Sequence, residues 1–185
     1  MFWFAVFVAT WFSACQRNVT TAFMPGEIRV VGVADGDTIM VLHLKDKRQE
    51  KIRLATIDAP ELHQAFGNAS KQSLSDLVFG KDVKIRKISA DRYGRTVAEV
   101  FVGDIDVNIE QLKRGYAWYF LRYKTQQTFE ERRKYFAAEK FAKENKNGLW
   151  SDLNPEPPWD FRKARSQKGN IETEQKQPPS EKLYE

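Results

Sequence analysis

The chain has 185 residues, of which 42% are apolar and 30% are charged, and its formal net charge is +5. This balance excludes a wholly disordered chain and provides enough apolar material for one domain with a core. A basic chain attracts nucleic acid, anionic lipid or polysaccharide, and charge alone does not distinguish these partners. The single cysteine, Cys15, excludes an internal disulfide.

Residues 1–14 form an apolar run without a charged residue, and the run ends at Cys15. It is shorter than the ~20 residues of a membrane-spanning helix and suits the apolar core of a signal peptide. Residues 12–15 also resemble the box that precedes the lipidated cysteine of bacterial lipoproteins. We therefore expect an exported bacterial protein that is periplasmic, extracellular or membrane-anchored. The anchor would be lipidated Cys15 or a simple apolar tether, and residues 16–25 would form a linker.

Five segments alternate apolar and polar residues, a pattern that predicts short strands. They are residues 27–33, 38–44, 50–57, 83–88 and 96–102. The first two flank Asp35-Gly36-Asp37 and predict a hairpin, because aspartate and glycine favour tight turns. The first three strands are joined by turns too short for the crossovers of a doubly wound parallel sheet.

Three helices are predicted between and after these strands. Asn68 is expected to cap the first helix, which Gly80 ends, and Asn108 is expected to cap the second. Thr128 begins a segment with capping-box spacing, which predicts a third helix that stops at Gly148.

The C-terminal part of the chain carries weaker signals. Residues 154–162 contain three prolines and predict an irregular packed arm, and residues 163–185 are polar and predict disorder. The elements together predict a mainly β α+β domain over residues 26–162. The expected architecture is a five-stranded barrel of the oligonucleotide/oligosaccharide-binding type with three helices.

Carboxylates stand at the predicted strand ends, which are rigid places from which to aim charged groups. Asp37 precedes the second strand, and Asp58 and Glu61 follow the third. They are either ordinary turn and loop acids or ligands of a cation. Calcium takes about 6–8 oxygen ligands and is favoured over magnesium or manganese, whereas two histidines and one cysteine support zinc poorly.

Two arginines supply a positive counterpart to these acids. Arg53 lies within the third strand between apolar neighbours, and Arg95 lies in a turn, where surface solubility is the alternative reading. Guanidinium groups match the oxygens of a phosphate bidentately and stabilise the charge that gathers during its displacement. Glu61 would take a proton from an attacking water or only order that water, and both roles stay open.

Three co-linear blocks resemble the signatures of the staphylococcal nuclease family. They are residues 33–38, then Arg53 with residues 58–61, and then residues 91–95. The resemblance extends over about residues 26–162. It implies a five-stranded barrel with three helices and a calcium-dependent phosphodiesterase acting on DNA and RNA. The products are expected to carry 3′-phosphates, and the protein is expected to be a monomer.

The resemblance also implies a role for each matching residue. Asp37 and Asp58 would bind calcium together with the main-chain carbonyl of Ala59, which stands where the best-known member has threonine. Glu61 would act as general base or water-positioner. The residues that would contact the substrate are Arg53 and Arg95 at the scissile phosphate, Tyr93 at a terminal phosphate and Tyr123 at a base. Leu121 replaces the second aromatic residue of the pair to which Tyr123 belongs.

Two other functions fit the same sequence. One is a non-catalytic nucleic-acid-binding barrel at the cell surface, and the other is a scaffold that binds a protein through aromatic residues 116–123. All five charged positions of the expected site are present, which favours catalysis over either alternative.

Overall fold

The structure, a computed structural model, describes residues 27–121 and 127–176, with side chains to residue 167. The strands are β1 (Ile28–Val33), β2 (Thr38–His43), β3 (Gln49–Leu54), β4 (Ile57–Asp58), β5 (Lys84–Ala90), β6 (Thr96–Val102), β7 (Ile105–Asp106) and β8 (Trp118–Tyr119). The helices are α1 (Gly67–Val78), α2 (Val107–Lys113), α3 (Phe129–Glu144) and α4 (Pro158–Lys176), with a 3-10 helix at Gly148–Ser151. None of the helices in the described ranges is both long and apolar enough to cross a bilayer.

One mixed sheet organises the domain. Its strands follow the order β1-β2-β3-β6-β5, and β7 pairs with β6. The β3–β6 pair is parallel, whereas β1–β2, β2–β3 and β5–β6 are antiparallel. All five predicted strands are therefore confirmed, and so is the hairpin across Asp35-Gly36-Asp37.

The third strand is shorter than predicted. It ends at Leu54 rather than Ile57, because Thr56 adopts a left-handed conformation with φ 67° that interrupts the ladder. The chain then forms β4, which pairs with β8 so that Asp58 lies opposite Trp118. This break places Asp58 on a separate short strand, beside the end of β3.

The core lies between the sheet and the first three helices. Val30, Ile39 and Ile52 of the first three strands are at most 1% exposed, and Leu74 of α1 and Leu112 of α2 are fully buried against them. The apolar residues named here lie on buried faces, whereas the last three residues of β3 and the first five of β6 are buried without alternation.

Two predicted helix caps are wrong. Helix α1 begins at Gly67 and not after Asn68; its cap residue, Phe66, is left-handed and gives no side-chain hydrogen bond. Asp106 caps α2 in place of Asn108, because its carboxylate accepts the Ile109 N–H at 3.0 Å.

Asn108 has a tertiary role instead of a capping role. Its side chain is fully buried, donates to the carbonyl of Ala55 at 2.9 Å and accepts from Val100 N–H at 3.1 Å. It thereby ties α2 to the turn that follows β3. The third cap is confirmed, since Thr128 and Glu131 form the complete capping box at the start of α3.

Asp106→Asn is expected to stabilise the protein at neutral pH. Burial raises the pKa of Asp106 to about 6, above the ordinary value of 3.8. The folded protein therefore keeps a proton that the unfolded chain releases between about pH 4 and 6, and stability falls as pH rises across that window. Asparagine caps a helix about as well as aspartate.

The gain in the free energy of unfolding is expected to be small at about pH 4 and to reach at most about 3 kcal/mol above pH 6, because one pKa unit corresponds to about 1.4 kcal/mol. Urea unfolding of the parent and the variant at both pH values measures it. An equal gain at the two pH values would contradict a contribution from this carboxyl group.

The C-terminal region is more regular than predicted. Helix α4 extends from Pro158 to Lys176, where the sequence suggested an irregular arm and disorder from residue 163. Pro158 is the first residue of the helix, a position where a missing N–H has no consequence and the fixed φ is favourable. The three prolines therefore mark the start of a helix.

Candidate active site

The predicted charged residues converge on one cleft of about 440 Å³. The β1–β2 turn, strands β3 and β4, the loop after β4 and the β5–β6 turn contribute residues to its walls. Of the predicted site residues, the cleft is lined by Asp37, Arg53, Asp58, Ala59, Glu61, Tyr93 and Arg95. Tyr123 lies outside the described residues.

The turn between β1 and β2 presents Asp37 to the cleft. Asp37 Oδ2 accepts the Ala59 N–H at 3.1 Å, and Oδ1 accepts the Thr38 hydroxyl at 2.9 Å. Asp35 shapes the turn, because its carboxylate accepts the Asp37 N–H at 3.0 Å. Burial, with the charge of Asp37 second, raises the pKa of Asp35 to about 6. Asp35 therefore shapes the turn, and Asp37 presents its carboxylate to the cleft.

Gly36 allows this turn to lie against its neighbours. A Cβ at this position would meet Ser70 Oγ at 1.9 Å and Ala59 Cβ at 2.7 Å. The side chain of Gln111, fully buried in α2, donates to the Gly36 carbonyl at 3.0 Å. A packed helix thus holds the turn from behind, and the position of Asp37 follows from this support.

Arg53 is a buried guanidinium that links the carboxylates. Its Nη2 lies 2.9 Å from Asp58 Oδ1 and 3.2 Å from Asp37 Oδ2. Its Nη1 donates to the carbonyls of Leu54 and Ile57, both at 3.0 Å, and so fixes the turn that separates β3 from β4. Two carboxylates that reach one nitrogen face the same small volume.

Asp58 is 1% exposed. Burial is the largest cause that acts on its pKa and raises it, with the Asp37 charge acting in the same direction. Hydrogen bonds and charges from Arg162 and Arg53 oppose that rise without cancelling it. A site that disfavours two adjacent negative charges favours a cation between them.

The donor atoms suit a hard cation. Two carboxylates and nearby main-chain carbonyls are the oxygen donors that calcium and magnesium take. Within the described ranges, no group of three or more histidine, cysteine, aspartate or glutamate side chains is arranged to hold a metal ion. The expected ligand set has only two such side chains, Asp37 and Asp58, and the carbonyl of Ala59.

Arg95 lies on the opposite wall, in the β5–β6 turn. Asp91 organises this turn: its Oδ1 accepts the N–H groups of Tyr93 at 2.9 Å and Arg95 at 3.0 Å. Its Oδ2 lies 2.7 Å from Arg95 Nε. The Arg95 side chain is only 24% exposed, which argues against a purely solubilising role. Tyr93 is 68% exposed, with Arg95 Cζ 5.6 Å from its ring centre.

Sequence reasoning missed Arg162, which enters the cleft from α4. Its Nη2 lies 2.7 Å from Asp58 Oδ2, and its Nη1 lies 2.8 Å from Glu61 Oε1. It is separated from Asp58 by 104 positions in the chain, so no local spacing connects the two residues. Asp91 belongs to the sequence block of residues 91–95, but only the geometry of the turn shows that it holds Arg95.

The comparisons with known proteins agree with this arrangement. The family model described as "Staphylococcal nuclease homologue" matches residues 51–152. The chain is 40% identical to an "Uncharacterized endonuclease" of Haemophilus influenzae, over 84% of this chain and 80% of that protein. It is 39% identical to a "Micrococcal nuclease" of Shigella flexneri, over 73% of this chain and 79% of that protein. The chain belongs to the staphylococcal nuclease family.

Family membership confirms the resemblance read from the three sequence blocks. The second and third blocks, with Arg53, Asp58 and Arg95, lie inside residues 51–152. Asp37 and Arg162 lie outside that match, and the structure brings both to the cleft: Asp37 belongs to the first sequence block, whereas none of the three blocks contains Arg162. The cleft of this staphylococcal nuclease homologue therefore contains residues from within the matched range 51–152, together with Asp37 from before it and Arg162 from after it.

Proposed function

We propose that this family member is a calcium-dependent phosphodiester hydrolase that cleaves DNA and RNA. The observation that carries the proposal is the meeting in one cleft of two buried carboxylates with Arg53 from strand β3 and Arg95 from the β5–β6 turn. Carboxylates are suited to a cation and arginines to a phosphate, so the cleft has both halves of a phosphodiesterase site. The net charge of +5 further favours a polyanionic substrate.

Asp37, Asp58 and the Ala59 carbonyl are proposed to hold the calcium ion. The fit is supported by the two carboxylates that reach one guanidinium nitrogen and by the burial that raises the pKa of Asp58. When bound, calcium would polarise the phosphate and place water near it. Magnesium and manganese are less favoured because they require a more rigid, smaller ligand shell.

Arg53 and Arg95 are proposed to bind the scissile phosphate. Asp91 engages Arg95 through Nε, so both Nη atoms of Arg95 can donate parallel hydrogen bonds to phosphate oxygens. Arg53 would reach the phosphate by giving up a carboxylate contact of its Nη2, since its Nη1 is held by two main-chain carbonyls. Both interactions strengthen as negative charge accumulates during attack.

Glu61 would accept a proton from the attacking water or order that water for attack. Tyr93 lies beside Arg95 and would contact a terminal phosphate, and Tyr123 would flank a base.

A binding module without catalysis is the main alternative, and one assay separates the two. The purified chain is incubated in calcium with plasmid DNA and with RNA, and both cleavage and complex formation are followed on gels. We expect both polymers to be degraded. Tight complexes with intact nucleic acid would support the binding module and overturn the proposal of a hydrolase.

The position of bond cleavage gives a second test. We expect hydrolysis to leave the phosphate on the 3′ end of one product and a hydroxyl on the 5′ end of the other. Mass spectrometry of a digested oligonucleotide distinguishes these ends, since each phosphate adds a defined mass. Products with 5′-phosphates would show that the bond on the other side of phosphorus is broken.

The closed barrel and the export of the protein are also proposals. Closure is supported by main-chain hydrogen bonds from β1 to residues 80–83, which lead into β5 at the other edge of the sheet. Export, with or without lipidation of Cys15, is supported by the apolar run of residues 1–14. Mass spectrometry of the mature protein would detect cleavage before Cys15 and an acyl group on it.

A further inference from the structure

Residues 154–162, here called the C-terminal arm, include the start of α4 and reach the cleft at Glu61. Arg162 lies in the second turn of α4, beyond the segment that the family model matches. Its Nη1 donates to Glu61 Oε1 at 2.8 Å, and its Nη2 donates to Asp58 Oδ2 at 2.7 Å. One guanidinium thus joins the carboxylate proposed to act on water to a carboxylate proposed to bind calcium.

A second contact ties the main chain of Glu61 to the same arm. Gln64, 7% exposed, accepts the Glu61 N–H at 3.1 Å through its Oε1. Its Nε2 donates to the carbonyl of Glu156 at 2.7 Å. Glu61 is therefore held at its backbone through Gln64 and at its carboxylate through Arg162, and both contacts end on the C-terminal arm.

The arm is itself fixed to the body of the protein. The ring of Trp159 lies 5.7 Å from that of Trp118 and 5.7 Å from that of Phe120. Such aromatic pairs add stability beyond the burial of their rings. Trp118 is also the strand partner of Asp58. The start of α4 is thus packed on the strand pair that carries the proposed calcium ligand.

Glu61 needs such support because of where it lies. It follows β4 in a loop, its side chain is 41% exposed, and a glutamate in that setting has several accessible rotamers. The Arg162–Glu61 ion pair adds little stability at this exposure. The position of the Glu61 carboxylate matters more for turnover, because a displacement of about 1 Å can lower a rate about 10²-fold.

We propose that Arg162 is a positioning residue that holds the Glu61 carboxylate in place for its action on water. The proposal rests on the proposed function, because the task of Glu61 belongs to that function. It makes the C-terminal arm part of the active site. It also predicts that the arm affects turnover through Glu61 and has little effect on the affinity for nucleic acid.

The first test compares Arg162→Ala, Arg162→Lys and the control Lys163→Ala, which removes the neighbouring charge from the same helix. With an oligonucleotide in calcium, Arg162→Ala is expected to lower kcat about 10- to 100-fold and to change KM less than about twofold. Arg162→Lys is expected to recover part of the loss, and Lys163→Ala should match the parent. A raised KM with unchanged kcat would overturn the proposal, since it would indicate that Arg162 binds phosphate.

Thermal unfolding and the fluorescence of Trp159, obtained as the difference from a matched Trp159→Phe protein because the chain has five tryptophans, show whether the variants keep the arm docked. We expect parent-like values for Arg162→Ala. A changed difference signal together with lost activity would indicate that the residue only attaches the helix, and would overturn the specific role proposed for it.

The decisive test is a double-mutant cycle with Glu61→Gln. If Arg162 acts through Glu61, then Arg162→Ala should cost less than about threefold when Glu61 is already replaced. If Arg162→Ala still lowers kcat 10- to 100-fold when Glu61 is already replaced, the two residues act independently, and the proposal is overturned. A parent that does not cut nucleic acid would defeat the proposed function itself. A parent that cuts, with an Arg162→Ala variant that cuts equally well, would defeat only this inference.

Discussion

Arg95→Ala is expected to lower the turnover of DNA cleavage by about 10²- to 10³-fold, the usual effect of removing one donor to a developing negative charge. The loss should fall mainly on kcat, because the interaction is strongest when the phosphate carries its greatest charge. Asp91 holds the Arg95 guanidinium through Nε, so the side chain is preorganised before substrate arrives. Steady-state kinetics on a labelled oligonucleotide in calcium measures the effect.

The fold should tolerate this change. Arg95 lies in a turn at the rim of the cleft, and its partly exposed pair with Asp91 is worth about 1 kcal/mol at most. Arg133→Ala is the matched control, because it removes an arginine that is 69% exposed on α3. A folded Arg95→Ala variant that digests DNA at the parent rate would refute the phosphate-binding role.

Asp58→Asn is expected to abolish most activity and to weaken calcium binding at least tenfold. The carboxylate is nearly fully buried and receives guanidinium nitrogens on both oxygens, so its charge organises the whole cleft. Asparagine would replace one acceptor oxygen with an NH2 group that faces arginine donors. The loss of a charged oxygen ligand removes much of the attraction for a hard cation.

Calcium affinity is measured by isothermal titration, and turnover is measured with calcium well above the parent dissociation constant. Asp104→Asn serves as the control, since it makes the same change at an exposed position outside the cleft. Parent-like calcium affinity in a folded Asp58→Asn variant would place the calcium ligand elsewhere.

The parts of the fold that follow from local pattern were predictable. Alternation located the five strands, and the Asp35-Gly36-Asp37 turn defined the first hairpin, because both signals lie within a few residues. The break after Leu54 was missed because Thr56 is an ordinary residue in an unusual conformation. The predicted cap at Asn108 was wrong because asparagine suits a helix cap on local grounds. In the folded protein its side chain instead makes three tertiary hydrogen bonds.

The charged wall of the site was also predictable, since the sequence blocks name Arg53, Asp58 and Arg95 directly. Their convergence on one site was implied only by the family resemblance, because no local pattern shows how β3, β4 and the β5–β6 turn meet. Arg162 was beyond sequence reasoning for two reasons. The prolines before it suggested an irregular arm, and its partners Asp58 and Glu61 are about a hundred residues away.

The proposal that the cleft is a calcium-dependent phosphodiesterase site is tested by the dependence of cleavage on metal ions. The full chain is freed of metal with a chelator and then assayed on DNA and RNA with calcium, magnesium, manganese or chelator alone. We predict that cleavage disappears in chelator, returns when calcium is added in excess, and is weaker with the other two ions. Cleavage that continues unchanged in chelator would contradict the account of the cleft as a calcium-dependent phosphodiesterase site.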